Sequence, residues 1–280
     1  MKRLQAFKFE LMPNGEQQRD MRRFAGARRF VYNKALALQK ANDETGGKFI
    51  GYVAMTSLLP AWKLEHPWLK ESPSQALQHS LKDVERAYKN FFEKRADFPR
   101  FKRKGRGESF RFPQGLKIDQ GNQRLFLPKL DWIRYRNSRE ILGAAKNITV
   151  SQSGGKWFTN VQTEREVEQP VPVATSAIGI DMGIVRFATL SDGSFIAPLG
   201  SFKKHEQRLR KYHRRMSRKV KFSKNWQKAK RRVQKVHTCI ANARKDFLHK
   251  TTTEISKNHA LVCIEDLQVK NMSKSSKGTA

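Results

Sequence analysis

Hydrophobic and polar positions alternate along residues 4–11. Gln5, Phe7, Phe9 and Leu11 fall on one side and Leu4, Ala6, Lys8 and Glu10 on the other, which predicts a short strand. Pro13-Asn14-Gly15 ends it. The period then lengthens: Phe24, Ala27, Val31, Ala35 and Leu38 recur at steps of three and four, predicting a helix over 16–41. Gly46-Gly47 opens a loop, a second helix is expected over 52–64, and His66-Pro67 stops it. A third helix starts at Ser74, read as its N-cap, and carries the apolar stripe Leu77, Leu81, Val84, Tyr88 and Phe91.

After Arg95 the texture changes. Short segments with turn signals follow one another, and Ile148–Gln152 and Trp157–Thr163 flank Ser153-Gly154-Gly155, a hairpin signal. Residues 96–168 read as a small antiparallel sheet or β-barrel that the strand in 1–12 joins, after a helical lobe over 13–95. Residues 169–176, with Pro170 and Pro172 and no periodicity, read as a linker. Within 177–280, Ala177–Asp181 is a short buried strand, Met182-Gly183 a turn, and Arg186–Ser191 and Ser194–Pro198 two further strands around Asp192-Gly193. Residues 201–257 contain neither Gly nor Pro and must be largely helical; Ala260–Ile264 is a last apolar strand, and Lys270–Ala280 reads as a disordered Ser/Lys/Gly tail. The fold class is multidomain, mixed α+β and α/β.

Charge adds the partner. Fifty-seven Lys and Arg against 25 Asp and Glu give the 280 residues a net charge of +32 and a pI near 10.6. Such a chain repels itself unless a polyanion screens it, and nucleic acid is the usual one. A structural RNA-binding protein fits that charge as well. A membrane partner would require an amphipathic anchor or a hydrophobic span, and neither is visible. Lys8 and Glu10 break any apolar leader, and the two cysteines, Cys239 and Cys263, form no zinc or disulfide pattern. The expected location is a reducing cytoplasm, at the nucleoid, and Cys263 reads as a small core residue.

Four constellations carry candidate chemistry. Asp181 and Glu265 each end an apolar strand, where an unpaired buried carboxylate is costly. Side by side in one sheet they would hold Mg²⁺; the alternative is a turn Asp and a cap. The meander after Asp181 and the distant second strand have the layout of a ribonuclease-H-like sheet. Residues 203–250 carry 19 Lys and Arg against Glu206 and Asp246 alone, too few acids for a solvated face of mixed sign, so a phosphate-following groove is expected. Lys211, Arg214, Arg215, Arg218, Lys230, Arg231 and Arg232 are its candidate contacts. Tyr212, Phe222 and Trp226, interleaved, either stack on bases or pack between helices. Arg28 and Arg29, in a cluster with Arg22 and Arg23, either face solvent or meet a nucleic-acid backbone. Phe98–Lys102 and Ser109–Pro113 alternate basic and aromatic residues, either as an RNA platform reached through Arg100, Lys102 and Arg111 or as a sheet core with basic edges.

Several of these segments together resemble TnpB (OrfB), transposon-encoded RNA-guided nucleases similar to type V CRISPR effectors. Phe7–Gln17 resembles the family's opening, as does Gly26 with Arg29–Leu36; Phe98–Lys102 and Ser109–Pro113 resemble its middle signature. Gly179–Gly183 resembles the first RuvC motif and Ile264–Leu267 the second. The resemblance implies a helical recognition lobe, a wedge-like barrel and a RuvC domain over 177–280. It implies a guide RNA from the transposon end, double-stranded DNA targets, two Mg²⁺ ions, and Asp181 and Glu265 as the first two RuvC carboxylates. It also implies a zinc segment of paired CxxC motifs and a third carboxylate. The sequence shows neither after Leu267, so the RuvC domain is expected to be incomplete and cleavage impaired. A guided binder that does not cut is the alternative, acting as a monomer.

Overall fold

A computed structural model describes residues 1–168, 174–183 and 185–266. Most of the expected linker and the whole Ser/Lys/Gly tail lie outside the described residues. The chain divides into two compact units, Met1–Glu168 and Gln169–Ala280, and its architecture is mixed α/β.

The first unit is built on strand β1 (Lys2–Met12). Phe7, Phe9 and Leu11 are 2–3% exposed while Leu4 is 63% exposed, as the alternation requires. Six more strands follow: β2 (Ser109–Phe112), β3 (Lys117–Asp119), β4 (Arg124–Leu127), β5 (Asp131–Tyr135), β6 (Ala144–Ser153) and β7 (Lys156–Glu166). The sheet order is β2-β6-β7-β1-β5-β4-β3, so the first strand of the chain lies at its centre. It runs antiparallel to β7 from Lys2 opposite Glu166 to Leu11 opposite Trp157. The expected barrel is not closed: β2 and β3 are the two ends of the sheet and do not pair. A closed barrel fills its interior with side chains from its own strands. Here helices cover the apolar face instead, because Met21, Phe24, Ala25 and Ala76 join Phe110, Phe112, Leu125 and Ile148 in one core.

Helix α1 (Gly15–Glu44) supplies the first three of those covering residues. Asn14 Oδ1 accepts from the Gln17 backbone N–H (2.8 Å) and Gln17 Oε1 accepts from the Asn14 N–H (3.1 Å), a reciprocal cap. Gln17 Nε2 also donates to the carbonyls of Leu130 and Trp132, which fixes the helix start on the sheet. Farther along, Ala27, Val31, Ala35 and Leu36 pack in a second core with Met55, Trp62, Leu77, Leu81 and Val84. The single helix expected over 52–64 is two, α2 (Tyr52–Ser57) and α3 (Leu59–Glu65), since Pro60 has no N–H for a continuous ladder. Helix α4 (Ser74–Phe92) presents Leu77, Leu81, Val84 and Tyr88 of its predicted stripe to this core, while Phe91 is half-buried outside it; Pro73, not Ser74, occupies the cap position, and Ser74 Oγ accepts from Lys63 Nζ.

Gly143 marks where β6 begins beside β7. Its φ is +86°, and an added Cβ would lie 2.6 Å from the Glu164 carbonyl oxygen. Gly143→Ala is expected to destabilise the first unit by about 2 kcal/mol or more, read as a lowered thermal midpoint.

In the second unit, β8 (Ala177–Asp181), β9 (Ala188–Leu190), β10 (Phe195–Ile196) and β11 (Leu261–Ile264) form a sheet ordered β10-β9-β8-β11. β8, β9 and β10 make an antiparallel meander and β11 joins β8 in parallel. The long helical stretch is broken into α5 (Ser201–Ser217) and α6 (Lys224–Asn258). Phe222 sits at φ +70° in the break and Ser223 Oγ accepts from the Trp226 N–H to start α6. The break has no Gly or Pro to announce it. Cys263 is exposed rather than a core residue, as are Leu261, Val262 and Ile264. β11 is the edge strand, and no described element covers it.

Candidate metal centre and nucleic-acid interface

The parallel pairing of β8 with β11 puts the two candidate carboxylates at the same end of neighbouring strands. Ile180 is opposite Ile264, the last pair of this ladder, and Asp181 and Glu265 are the next residue along each chain segment. Residues opposite one another in a parallel pair point to the same face. Asp181 is also opposite Thr189 of β9, at the point where the meander turns. Both carboxylates are exposed, on a site open to solvent. Their hard oxygens suit a divalent cation such as Mg²⁺. Among the described residues no third Asp, Glu, His or Cys completes a group with them.

Helices α5 and α6 form a hairpin. Leu209, Val233, Val236 and Ile240 are its buried seam, with Tyr212 and Met216 packed against it. That packing accounts for Tyr212. Phe222 is 70% exposed, with its ring 5.5 Å from Trp226. The cations lie outside the seam. Gln207, Arg210, Lys211, Arg214, Arg215 and Arg218 line a cavity of about 390 Å³ along one face of α5. Their spacing puts them on successive turns. Within residues 203–250 the only acids are answered locally, Glu206 by Arg210 (2.6 Å) and Asp246 by Lys250 (2.8 Å). Among the described residues, Lys211, Arg214, Arg215, Arg218, Lys230, Arg231 and Arg232 have no carboxylate partner. His213 and His237 face each other across the hairpin with ring centroids 6.1 Å apart, and no third ligand joins them among the described residues.

In the first unit the candidate cations differ from one another. Arg28 is largely buried. It donates to the Ser109 carbonyl (2.6 Å) and hydroxyl (2.8 Å) and pairs with Asp83, so it locks β2 to α1 and α4. Arg29 pairs with Glu108 at 3.2 Å. Both guanidiniums are thus engaged by acids of their own unit. Arg100 is exposed, 3.8 Å from Asp97. Arg111 donates through Nε to Thr149 Oγ1 and leaves the rest of its guanidinium in a groove beside α4.

Lys102 lies over the Tyr32 ring (3.8 Å) and 3.8 Å from Asp83. Burial, then the Arg28 guanidinium, push its pKa down to about 8, with Asp83 opposing. The unfolded chain keeps the ordinary value near 10.5. Between about pH 8 and 10.5 the unfolded state therefore binds more protons, and stability rises with pH in that window. Lys102→Met is expected to raise the thermal midpoint at pH 7 and to abolish the rise between pH 8 and 10, measured by thermal unfolding across pH.

Sequence reasoning missed one set of residues. His79, Lys82, Arg86 and Lys89 form a stripe on α4 at steps of three and four, on the face away from Leu77, Leu81, Val84 and Tyr88. The signal was present as cations in helical register. Burial, Arg111 and Lys82 lower the His79 pKa, so its ring stays neutral near pH 7.

Comparisons with known proteins give this arrangement a family. The family model described as "Probable transposase" matches residues 160–276, which include Asp181 and Glu265. A second, described as "Helix-turn-helix domain", matches residues 1–48, which fold here as β1 and the single helix α1. The Escherichia coli (strain K12) protein named "Putative RNA-guided DNA endonuclease InsQ" is 60% identical over 281 residues, all of this chain and 70% of that protein. A Streptomyces pristinaespiralis "Putative RNA-guided DNA endonuclease" is 35% identical over 97% of this chain and 69% of its own length. Among solved structures, "Cryo-EM structure of the Cas12f1-sgRNA-target DNA complex" aligns with 95% of this chain and 82% of that one at 11% identity and a TM-score of 0.40, too weak a likeness to rest anything on. No described helix is long and apolar enough to cross a membrane. On the strength of these two relatives, the chain belongs to the TnpB/OrfB family of transposon-encoded proteins.

Proposed function

We propose that this protein binds a guide RNA from its transposon end and uses it to find double-stranded DNA, with the β8–β11 strand ends as its cleavage centre. The observation that carries the reading is the parallel pairing of β8 with β11, which ends one residue short of Asp181 and Glu265 on neighbouring strands, in a chain whose relatives are named as RNA-guided DNA endonucleases. Guide pairing supplies sequence recognition, so the protein itself needs to hold backbones and shape. The unpaired cations of α5 and α6 suit that task. Asp181 and Glu265 would hold Mg²⁺, which would polarise the scissile phosphate and an attacking water. The chain's own contribution is to keep both carboxylates on one open face of the sheet, accessible to a backbone.

A second reading is guided binding without cutting, which the cations of α5 and α6 without carboxylate partners among the described residues serve whether or not the held backbone is cut. A structural RNA-binding protein without a guide gives no reason for paired carboxylates at adjacent strand ends.

The test is guide dependence. With a reconstituted guide, exchanging the target-matching part of the RNA is expected to redirect binding to the newly matched duplex, measured by gel shift. Binding indifferent to that exchange would sink both guided readings. Mg²⁺-dependent cutting of the matched duplex separates the nuclease from the binder.

A further inference from the structure

A groove of about 840 Å³ in the first unit runs beside α4. Lys82, Arg86 and Lys89 line one side and Arg111 of β2 reaches in from the other. None of these four cations has a carboxylate within ion-pair distance among the described residues, whereas the groove's acids are all engaged. Asp83 pairs with Arg28 and Lys102, Glu93 pairs with Arg95, and Glu85 accepts the Tyr52 N–H at 2.9 Å. The groove therefore presents four unpaired cations against one carboxylate, Glu85, that no cation pairs with among the described residues.

At its far end the stripe continues into Phe92, which is 60% exposed, and Phe49, 40% exposed, sits edge-on to it with centroids 6.0 Å apart. Tyr88 packs against both rings, at 5.2 and 5.9 Å, and Phe91 against Phe92 at 5.6 Å. Buried rings would complete a core; these two lie open, in line with the cations. Lys82 to Phe92 is ten helical steps, about 15 Å, enough for several nucleotides of one strand. A duplex hides its base faces in the stack and could use only the cations, whereas an unpaired strand uses cations and rings together.

We propose that this groove holds a single-stranded nucleic-acid segment, its phosphates on Lys82, Arg86, Lys89 and Arg111 and an unpaired base stacked on Phe92 and Phe49. The inference rests on the nucleic-acid-binding reading above, but on neither its guide nor its cleavage centre. Phe92 is exposed, so truncating it leaves the α4 core intact.

The test uses the full chain carrying alanine at Lys211, Arg214, Arg215 and Arg218, so that α5 does not mask the groove. Probes are a uridine 12-mer, an abasic 12-mer and a 12-base-pair duplex, measured by fluorescence anisotropy. Phe92→Ala is expected to weaken the uridine strand about tenfold. It should leave the abasic strand and the duplex within about twofold, and Phe92→Tyr should retain binding. A 4-thiouridine in the strand should crosslink to peptides carrying Phe49 or Phe92. Unchanged uridine binding, an equal loss for the duplex, or crosslinks confined to α5 and α6 would overturn the assignment. A failed guide-exchange experiment with these results intact would overturn only the guided reading.

Discussion

Removing the four cations of α5 together, by alanine at Lys211, Arg214, Arg215 and Arg218, is expected to flatten the salt dependence of nucleic-acid binding. Each phosphate contact contributes about 0.9 to the slope of log affinity against log salt on duplex DNA, so the slope should fall by about 3–4. Affinity at about 0.15 M salt should drop a hundredfold or more, uniformly across sequences, because backbone contacts carry no sequence information. The fold should survive, since these side chains lie outside the Leu209–Val233–Val236–Ile240 seam. Titration of the variant with duplex DNA at several salt concentrations checks both numbers. A loss confined to one sequence, or an unchanged slope, would show that α5 does not follow a backbone.

The second large effect concerns metal. Asp181→Asn keeps shape and removes a charged ligand from the strand-end pair. Mn²⁺, a substitute for Mg²⁺ that can be followed by water-proton relaxation, is expected to bind the parent chain and to lose about a hundredfold or more in affinity in the variant. Glu265→Gln should do the same if the two carboxylates share one ion. Near-equal binding by all three proteins would mean that the β8–β11 pairing puts the carboxylates at neighbouring strand ends without making a metal site.

Local pattern carried much of the architecture. The side of β1 bearing Phe7, Phe9 and Leu11 is the buried side, and the stripe through Leu77, Leu81 and Val84 is the core face of α4, because periodicity reports which face meets apolar neighbours. What local pattern could not report was partnership at long range. Nothing near residue 4 says that it lies opposite Glu164, or that β1 is a central strand. Nor does a run of basic residues reveal which are already paired: Arg28 and Lys82 look alike in sequence, yet one is locked to Asp83 and Ser109 and the other is free of ion pairs among the described residues. The break between α5 and α6 was hidden for a different reason, since a Phe takes the left-handed conformation that sequence reasoning reserves for Gly or Asn. Asp181 and Glu265 were legible as two strand ends of similar texture; the parallel pairing of β8 with β11 puts those ends on neighbouring strands.

The most direct measurement is the RNA that the protein carries when purified. Sequencing that RNA should return one dominant species containing a defined transposon end, bound tightly enough to survive moderate salt. Heterogeneous cellular RNA, or none, would contradict a guide-dependent function.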